Sequence, residues 1–206
     1  MMDWLLQLDK DLFLLLNGLH SAPFDRIMWW VSGKITWWPF YLLLLGYFSW
    51  RKGWQLAPMI LFIALVITLT DQTSVHLFKN LVQRLRPCHE PALQGLVHLV
   101  NNKCGGLYGF ISSHAANSFG VAVLTSCWIR RRWFTILMLA WALLVGYSRI
   151  YLGVHYPGDV IAGGLWGAGC GWLLYRLLLM MMHVLPESWW IKKGYPERAS
   201  NTDPEP

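Results

Sequence analysis

The chain has 206 residues, of which 55% are hydrophobic and only 14% are charged. This composition argues against an ordinary soluble enzyme and favours a membrane protein. Seventeen Lys and Arg against eleven Asp and Glu give a formal charge of +6. In so apolar a chain this surplus indicates anionic lipid headgroups as the partner, and not nucleic acid. The 14 Trp agree with that interpretation, because indole rings concentrate at the two interfaces of a bilayer.

The first segment, from Trp4 to about Leu19, carries Asp9, Lys10 and Asp11 in its middle. A helix that crossed the membrane here would bury these charges in hydrocarbon, which is energetically unfavourable. We therefore predict an amphipathic helix that lies at one membrane surface. A sixth membrane span is the alternative.

Five apolar stretches are each long enough to cross roughly 30 Å of hydrocarbon. They lie near residues 30–50, 54–75, 111–129, 133–151 and 159–183. The predicted fold class is therefore all-α, a polytopic membrane helical bundle that forms a single domain over residues 1–190. The polar and Pro-rich residues 191–206 predict a disordered tail.

Positive charge follows alternate spans and predicts their orientation. The clusters are Arg51 and Lys52, Arg130 to Arg132, and Lys192, Lys193 and Arg198. If the spans alternate, all three clusters lie on one side, which should be the cytoplasm together with the C-terminus. The segment 79–110 and the turn 151–158 then lie on the extracytoplasmic side. The compactness of the chain suggests a bacterial protein, for which this membrane would be the inner membrane.

Three glycines with four-residue spacing, Gly163, Gly167 and Gly171, lie on one face of the last predicted span. Bare backbone on a helix face allows a neighbouring helix to approach closely. We predict a close helix contact at this face, with a channel wall as the alternative.

Two groups of polar residues stand at the ends of the second and third spans, on the side opposite the positive clusters. Lys79, Arg86 and Pro87 follow the second span, and a membrane edge with snorkelling side chains is the alternative interpretation. Ser112-Ser113-His114 opens the third span. Its alternative is an ordinary N-cap beside an unrelated histidine. A helix N-terminus also presents free N–H groups to an anion.

The third group, Ser148-Arg149 followed by His155 and Asp159, joins the fourth and fifth spans. A buried core histidine is the simple alternative. A carboxylate four residues after a histidine can orient the imidazole and make it a better nucleophile. Because the topology brings the three groups to one face, cations, histidines, a carboxylate and a helix N-terminus should meet there. Such a combination suits a phosphate.

Taken together, the three motifs resemble the signature of the type 2 phosphatidic acid phosphatase family, the membrane lipid phosphatase branch of the acid phosphatase and vanadium haloperoxidase superfamily. The resemblance covers roughly residues 54–180. One departure is visible, because the family's Pro-Ser-Gly-His is Ile111-Ser112-Ser113-His114 in this chain. Ser113 keeps the backbone N–H but adds a side chain, which brings its phosphate contact into question.

The resemblance implies a hydrolase that works through a phosphohistidine. His155 would be the nucleophile, Asp159 would orient it, and His114 would be the general acid and base. The implied phosphate-binding residues are Lys79, Arg86, Ser112, Ser113 and Arg149. No metal and no other cofactor is implied, because the three cations take the part that Mg²⁺ plays in many phosphoryl transfers.

A site at the membrane boundary suits a lipid phosphate as substrate, and we expect the bilayer and this lipid to be the partners. Undecaprenyl diphosphate is the first candidate. The alternatives are phosphatidylglycerophosphate, phosphatidate and a lipid A phosphate. A transporter, a phospholipid-binding protein without turnover and a haloperoxidase are the competing functions. The sequence makes no prediction of the oligomeric state.

Cys88 and Cys104 lie in the segment 88–110, where an oxidising compartment would allow a disulfide. Closing a loop of about sixteen residues would stabilise the fold by around 3 kcal/mol in the chain-entropy model. Free thiols are one alternative, and a zinc site formed by Cys88, His89, His98 and Cys104 is another. The same segment either covers the site or only connects two spans.

Asp71 interrupts the apolar second span. An intramembrane carboxylate is expected to face the bundle and to have a partner there. We expect a structural role for Asp71, with support of the site as the alternative.

Overall fold

The computed structural model describes residues 2–33, 35–52 and 56–184. Within these ranges the regular structure is helical, apart from one isolated β-bridge between Leu85 and Tyr108. The α-helices are α1 (Met2–Gly18), α2 (Ala22–Ser32), α3 (Trp38–Lys52), α4 (Leu56–Thr73), α5 (Asn80–Val82), α6 (Ser113–Ile129), α7 (Arg132–Tyr151) and α8 (Pro157–Val184).

Three helical stretches of the described residues are long and apolar enough to cross a membrane: Pro58–Val82, Arg132–Tyr151 and Pro157–Met182. The predicted all-α membrane bundle therefore holds, and the chain is a membrane protein. The helices α3 and α6 have 15 and 17 residues and are shorter than these three. The count of five spans stays a prediction, and the predicted tail at residues 191–206 lies outside the described residues.

The first predicted span began near residue 30, and this boundary is wrong. Residues 22–32 form the separate helix α2, whose end is closed where the Gly33 N–H donates to the Trp30 carbonyl at 2.9 Å. A 3-10 turn, Ile35–Trp37, leads into the next α-helix, which begins at Trp38. Pro39 follows immediately, and proline is favoured in the first turn of a helix because its missing N–H has no helical partner there.

The glycine face of α8 packs directly on α6, as the spacing predicts. A Cβ at Gly167 would overlap the backbone carbonyl of Ala116, so any larger residue would push the helices apart. The neighbouring pairs repeat this contact one turn away on each side, Gly163 on Ser112 and Gly171 on Gly120. Of all described helix pairs, α6 and α8 have the most extensive contact. This packing holds the N-terminus of α6 next to the first turns of α8.

The N-terminal helix exists as predicted, but it docks on the bundle with part of its polar side. Phe13 is completely buried and meets the Tyr156 ring edge-on, with ring centroids 5.4 Å apart. The Asn17 side chain is also buried and donates to the Tyr151 carbonyl at 2.8 Å. Asp9 faces inward as well, because the backbone N–H of Gly158 donates to it. The predicted surface helix is thus part of the packed structure.

A long loop, residues 83–110, folds back over the end of the bundle. Cys88 and Cys104 form a disulfide across it, with Cα atoms 5.9 Å apart. His98 does not join these cysteines, since its Nε2 lies 3.0 Å from the Asp25 carboxylate. The four residues of the zinc alternative are therefore not gathered. We use the name cover for α1, α2 and this long loop, and the name core for α4, α6, α7 and α8.

Candidate active site

Lys79 reaches the site through a π-helical turn, Ser74–Lys79, that follows α4. Such turns widen a helix locally and are frequent at functional sites. The Lys79 Nζ lies 3.0 Å from the Ser113 Oγ. The serine at the position of the family's glycine therefore adds a hydroxyl beside the Lys79 amino group.

The N-terminus of α6 is held by Ser112. Its Oγ accepts from the Ala115 N–H at 3.5 Å, and its own N–H donates to the Asp159 carbonyl at 3.0 Å. Ser112 is completely buried. Its hydroxyl thus caps the helix, while the free N–H groups of the first turn stay available to an anion.

Arg86 lies where the long loop begins and is 92% buried in the fold, with 8% of its surface exposed. Its guanidinium donates to two loop carbonyls, Tyr108 at 3.3 Å and Cys104 at 3.4 Å. Burial lowers the pKa of Arg86 below its usual value, and the charge of Asp159 opposes this change. The carbonyls of the long loop therefore hold the Arg86 guanidinium in its position at the site.

Arg149 stands near the end of α7, where its guanidinium hydrogen-bonds the Ser32 hydroxyl of α2. Its Nε is buried and has no hydrogen-bond partner among the described residues. An unsatisfied buried N–H of a guanidinium is unfavourable. The Nε–H of Arg149 can therefore donate to an anionic ligand.

His155 lies completely inside the protein at the turn before α8, and only 2% of its surface is exposed. Its Nδ1 is 3.4 Å from Oδ2 of Asp159, which also accepts from the Tyr156 N–H at 3.1 Å. Burial lowers the pKa of His155 well below its usual value, and the charges of nearby arginines and Lys79 lower it further. The imidazole is therefore neutral at physiological pH, as a nitrogen nucleophile must be.

These side chains meet at one cavity of about 390 Å³. Its polar end is lined by six of the eight predicted catalytic and phosphate-binding residues: Lys79, Arg86, Ser113, His114, Arg149 and His155. Ser112 and Asp159 lie behind this wall. The far end is apolar and is lined by Trp37, Tyr41, Ile67, Val121, Trp141 and Val145. Asp71 lines the cavity too and interacts electrostatically with Lys79, which places it at the site.

Sequence reasoning assigned no role to three residues that contact the site from the cover. Ser32 bonds Arg149, Arg84 pairs with Asp159 at 3.0 Å, and Asp9 pairs with Arg84 at 2.7 Å. The available signal was weak, because a charge in an apolar helix is also typical of a surface helix. Only the fold brings Asp9 next to a residue 75 positions away.

The geometry defines a membrane phosphatase. Three cations, a hydroxyl and a helix N-terminus can hold a phosphate, a buried neutral imidazole can attack it, and a second histidine lines the same cavity. An apolar chamber that continues from the phosphate site suits an acyl or prenyl chain.

Comparison with known proteins agrees with this class. A sequence profile of the PAP2 superfamily matches residues 55–182. A lipid A 4'-phosphatase of Bacteroides thetaiotaomicron is 42% identical over 177 residues, which cover 85% of this chain and 79% of that protein. An undecaprenyl-diphosphatase of Sulfolobus acidocaldarius is 30% identical over 170 residues, with 81% and 77% covered.

Among solved structures, Aquifex aeolicus LpxE superposes with a TM-score of 0.61 at 26% identity, and the match covers 82% of this chain and 95% of that one. The chain belongs to the PAP2 superfamily and is a membrane lipid phosphatase.

Proposed function

We propose that this phosphatase removes the 4'-phosphate of lipid A, an acylated sugar phosphate. The observation that carries the proposal is the single cavity with a cationic end and an apolar end, which fits a phosphate on a sugar that also carries fatty acyl chains. The similarity to the lipid A 4'-phosphatase, 42% against 30% for the undecaprenyl-diphosphatase, favours this substrate. Undecaprenyl diphosphate, the first candidate from the sequence, becomes the alternative.

Phosphate binding is assigned to the polar end of the cavity. Lys79, Arg86 and Arg149 offset the charge of the nonbridging oxygens, with Arg149 donating through its unpaired Nε. The Ser113 hydroxyl, beside Lys79, adds one more donor. The N-terminal N–H groups of α6 complete this cradle. Because these groups are already in place before the reaction, they stabilise the charge of the transition state without reorganisation.

In the first chemical step, His155 attacks phosphorus in line with the leaving alcohol. The Nδ1 faces Asp159, so Nε2 is the attacking atom. The P–N bond forms while the P–O bond breaks, and His114 gives a proton to the departing sugar oxygen. Asp159 stabilises the imidazolium character that develops on His155.

In the second step, water attacks the phosphohistidine from the side that the alcohol has left. His114, now neutral, takes a proton from this water. The P–N bond breaks, inorganic phosphate forms, and His155 returns to its neutral state. No step requires a metal ion, so we expect full activity in EDTA.

The proposed orientation places the site on the extracytoplasmic face and the C-terminus in the cytoplasm. The site lies at the N-terminus of α6, whereas Arg130 to Arg132 follow its C-terminus. A helix of 17 residues is about 25 Å long, so this cluster lies at the opposite end of the bundle. Positive loops stay in the cytoplasm. In a bacterium the membrane would be the inner membrane.

A substrate panel tests the proposed function. Purified protein in detergent is given lipid A, undecaprenyl diphosphate and phosphatidylglycerophosphate, each with and without EDTA. Phosphate release is measured, and mass spectrometry with fragmentation identifies which sugar has lost its phosphate. We expect the highest kcat/KM on lipid A, with loss at the 4' position. A higher kcat/KM on undecaprenyl diphosphate would restore the first candidate, and loss at the 1 position would contradict the regiochemistry.

A further inference from the structure

The proposed catalytic pair of His155 and Asp159 is held by residues that are not among the defining positions of the signature motifs. The Asp159 carboxylate is completely buried, and both of its oxygens are engaged. Oδ1 accepts from the Arg84 guanidinium at 3.0 Å. Oδ2 accepts from the Tyr156 N–H and faces His155. Because Oδ1 is held by Arg84, the carboxylate cannot rotate freely, and Oδ2 stays directed at the imidazole.

Arg84 is itself held in place by the N-terminal helix. Its Nη2 donates to Oδ2 of Asp9 at 2.7 Å, and its guanidinium lies over the Tyr156 ring, 4.0 Å from the centroid. A guanidinium offers several donors in a fixed plane, so it can join two carboxylates at once. Arg84 therefore connects helix α1 with the start of α8.

The second oxygen of Asp9 contacts the catalytic turn directly. Oδ1 of Asp9 accepts from the Gly158 N–H at 2.7 Å. A Cβ at Gly158 would come within 2.8 Å of the Asp9 carboxylate, so this approach requires glycine. Asp9 thus fixes both Arg84 and the backbone immediately before Asp159.

Neither Arg84 nor Asp9 is among the residues that line the substrate cavity. Asp9 also lies outside residues 55–182, which match the family profile. These two residues therefore act through Asp159 and not through the substrate.

We propose that Arg84 and Asp9 are positioning residues, in which Asp9 orients Arg84 and Arg84 orients Asp159 toward His155. The inference rests on the proposed phosphohistidine mechanism. It makes the N-terminal helix a part of the active-site architecture. It also explains why this helix carries a carboxylate on the side that it turns toward the bundle.

The test uses full-length protein, purified in detergent, with Arg84→Gln, Arg84→Lys, Asp9→Asn and the double variant Asp9→Asn/Arg84→Gln. Lys10→Gln is the matched control, since Lys10 is on the same helix but pairs with Glu90 at 3.6 Å, away from the site. The kinetic constants kcat and KM are measured on the best lipid phosphate of the substrate panel. Thermal unfolding reports the folded fraction of each variant.

We expect Arg84→Gln to lower kcat by about 10- to 100-fold and to leave KM within roughly twofold, because the substrate contacts are intact. Arg84→Lys should recover part of the lost kcat, since lysine keeps the charge but not the fork. Asp9→Asn should lower kcat less. The double variant should have the same kcat as Arg84→Gln or a higher one, because both changes interrupt the same series of contacts from Asp9 through Arg84 to Asp159.

A folded Arg84→Gln variant with wild-type kcat would overturn the inference, and so would a loss expressed only in KM. If Arg84→Gln does not fold, the proposal is tested by comparing kcat of Asp9→Asn with kcat of Lys10→Gln. Equal kcat values for these two variants would reject the proposal. If the wild-type protein released phosphate from none of the lipid phosphates, this result would instead contradict the proposed function.

Discussion

The core and the cover contribute to the active site in different ways. In the proposed mechanism the core supplies reacting and binding groups near the ends of its helices, such as His114 and Arg149, and Lys79 stands on the π-helical turn after α4. The cover supplies Arg86 and the contacts that aim the core's charges, through Ser32 and Arg84. The core holds its groups by helix packing, whereas the cover holds them by ion pairs and hydrogen bonds. In this proposal the core therefore carries most of the reacting groups, and the contacts of the cover keep these groups aligned.

The largest expected effect concerns the proposed nucleophile, His155. Replacing His155 with Ala should lower phosphate release by at least about 10³-fold, because the proposed phosphoenzyme cannot form without its nucleophile. His89→Ala is the control in the cover, since the ring of this exposed histidine lies 3.3 Å from the Gly105 carbonyl in the long loop and is not among the groups that line the cavity. Its activity should stay within about twofold of wild type. Full turnover by His155→Ala would reject the assignment.

The next largest effect concerns helix packing in the core. Gly167→Ala places a methyl group against the Ala116 carbonyl, where the backbone has no room to yield. We expect a loss of roughly 3 kcal/mol or more in the free energy of unfolding. Gly169→Ala, two residues along the same helix, meets nothing within 4 Å and should be neutral. Thermal unfolding in detergent compares the two variants, and equal midpoints would disprove the close-packing argument.

The third prediction concerns the cover. Cys88→Ser/Cys104→Ser opens a loop with a sequence separation of 16 residues, for which the chain-entropy model gives a loss of about 3 kcal/mol. The Cys104 carbonyl also holds the Arg86 guanidinium, so KM for the lipid phosphate should rise. Cys127→Ser changes a free cysteine of the core and serves as control. An unchanged KM in the double variant would show that the loop does not aim Arg86.

The smallest effect is a pH dependence at the boundary of core and cover. Burial, and then the positive charges around it, keep the pKa of His155 well below its ordinary value of 6.5. The unfolded chain therefore takes up a proton at this residue as the pH falls through about 6.5, while the folded protein does not. The stability that this residue contributes is fully present above that pH and is lost below it, with a slope approaching about 1.4 kcal/mol per pH unit.

Unfolding midpoints at several pH values between 7.5 and 5, compared with those of His155→Asn, isolate this contribution. The wild-type midpoint should fall more steeply with decreasing pH than that of the variant. Parallel curves would show that His155 titrates alike in both states.

The membrane class, most helix positions and the signature residues could be predicted because each depends on a local pattern. Apolar stretches of sufficient length mark α4, α7 and α8, and a Gly repeat marks the face of α8 that meets α6. Lys79, Arg86 and His155 stand out because charged and ionisable groups at the ends of apolar spans have few structural uses. The first span was misplaced because apolar residues stand on both sides of Ser32-Gly33-Lys34, and the prediction continued across this break.

The positioning contacts could not be predicted, because they join residues far apart in the chain whose types are also common on surfaces. The charge of Asp9 was part of the basis for predicting that α1 lies at the membrane surface. In the structure this charge is offset by Arg84, 75 residues away. Likewise, Ser32 gained its role only when α2 packed beside α7. Hydropathy and motif spacing give information only about residues that are close together in the sequence. Pairing between a carboxylate and a guanidinium depends on distance in space, which the packing of the helices sets.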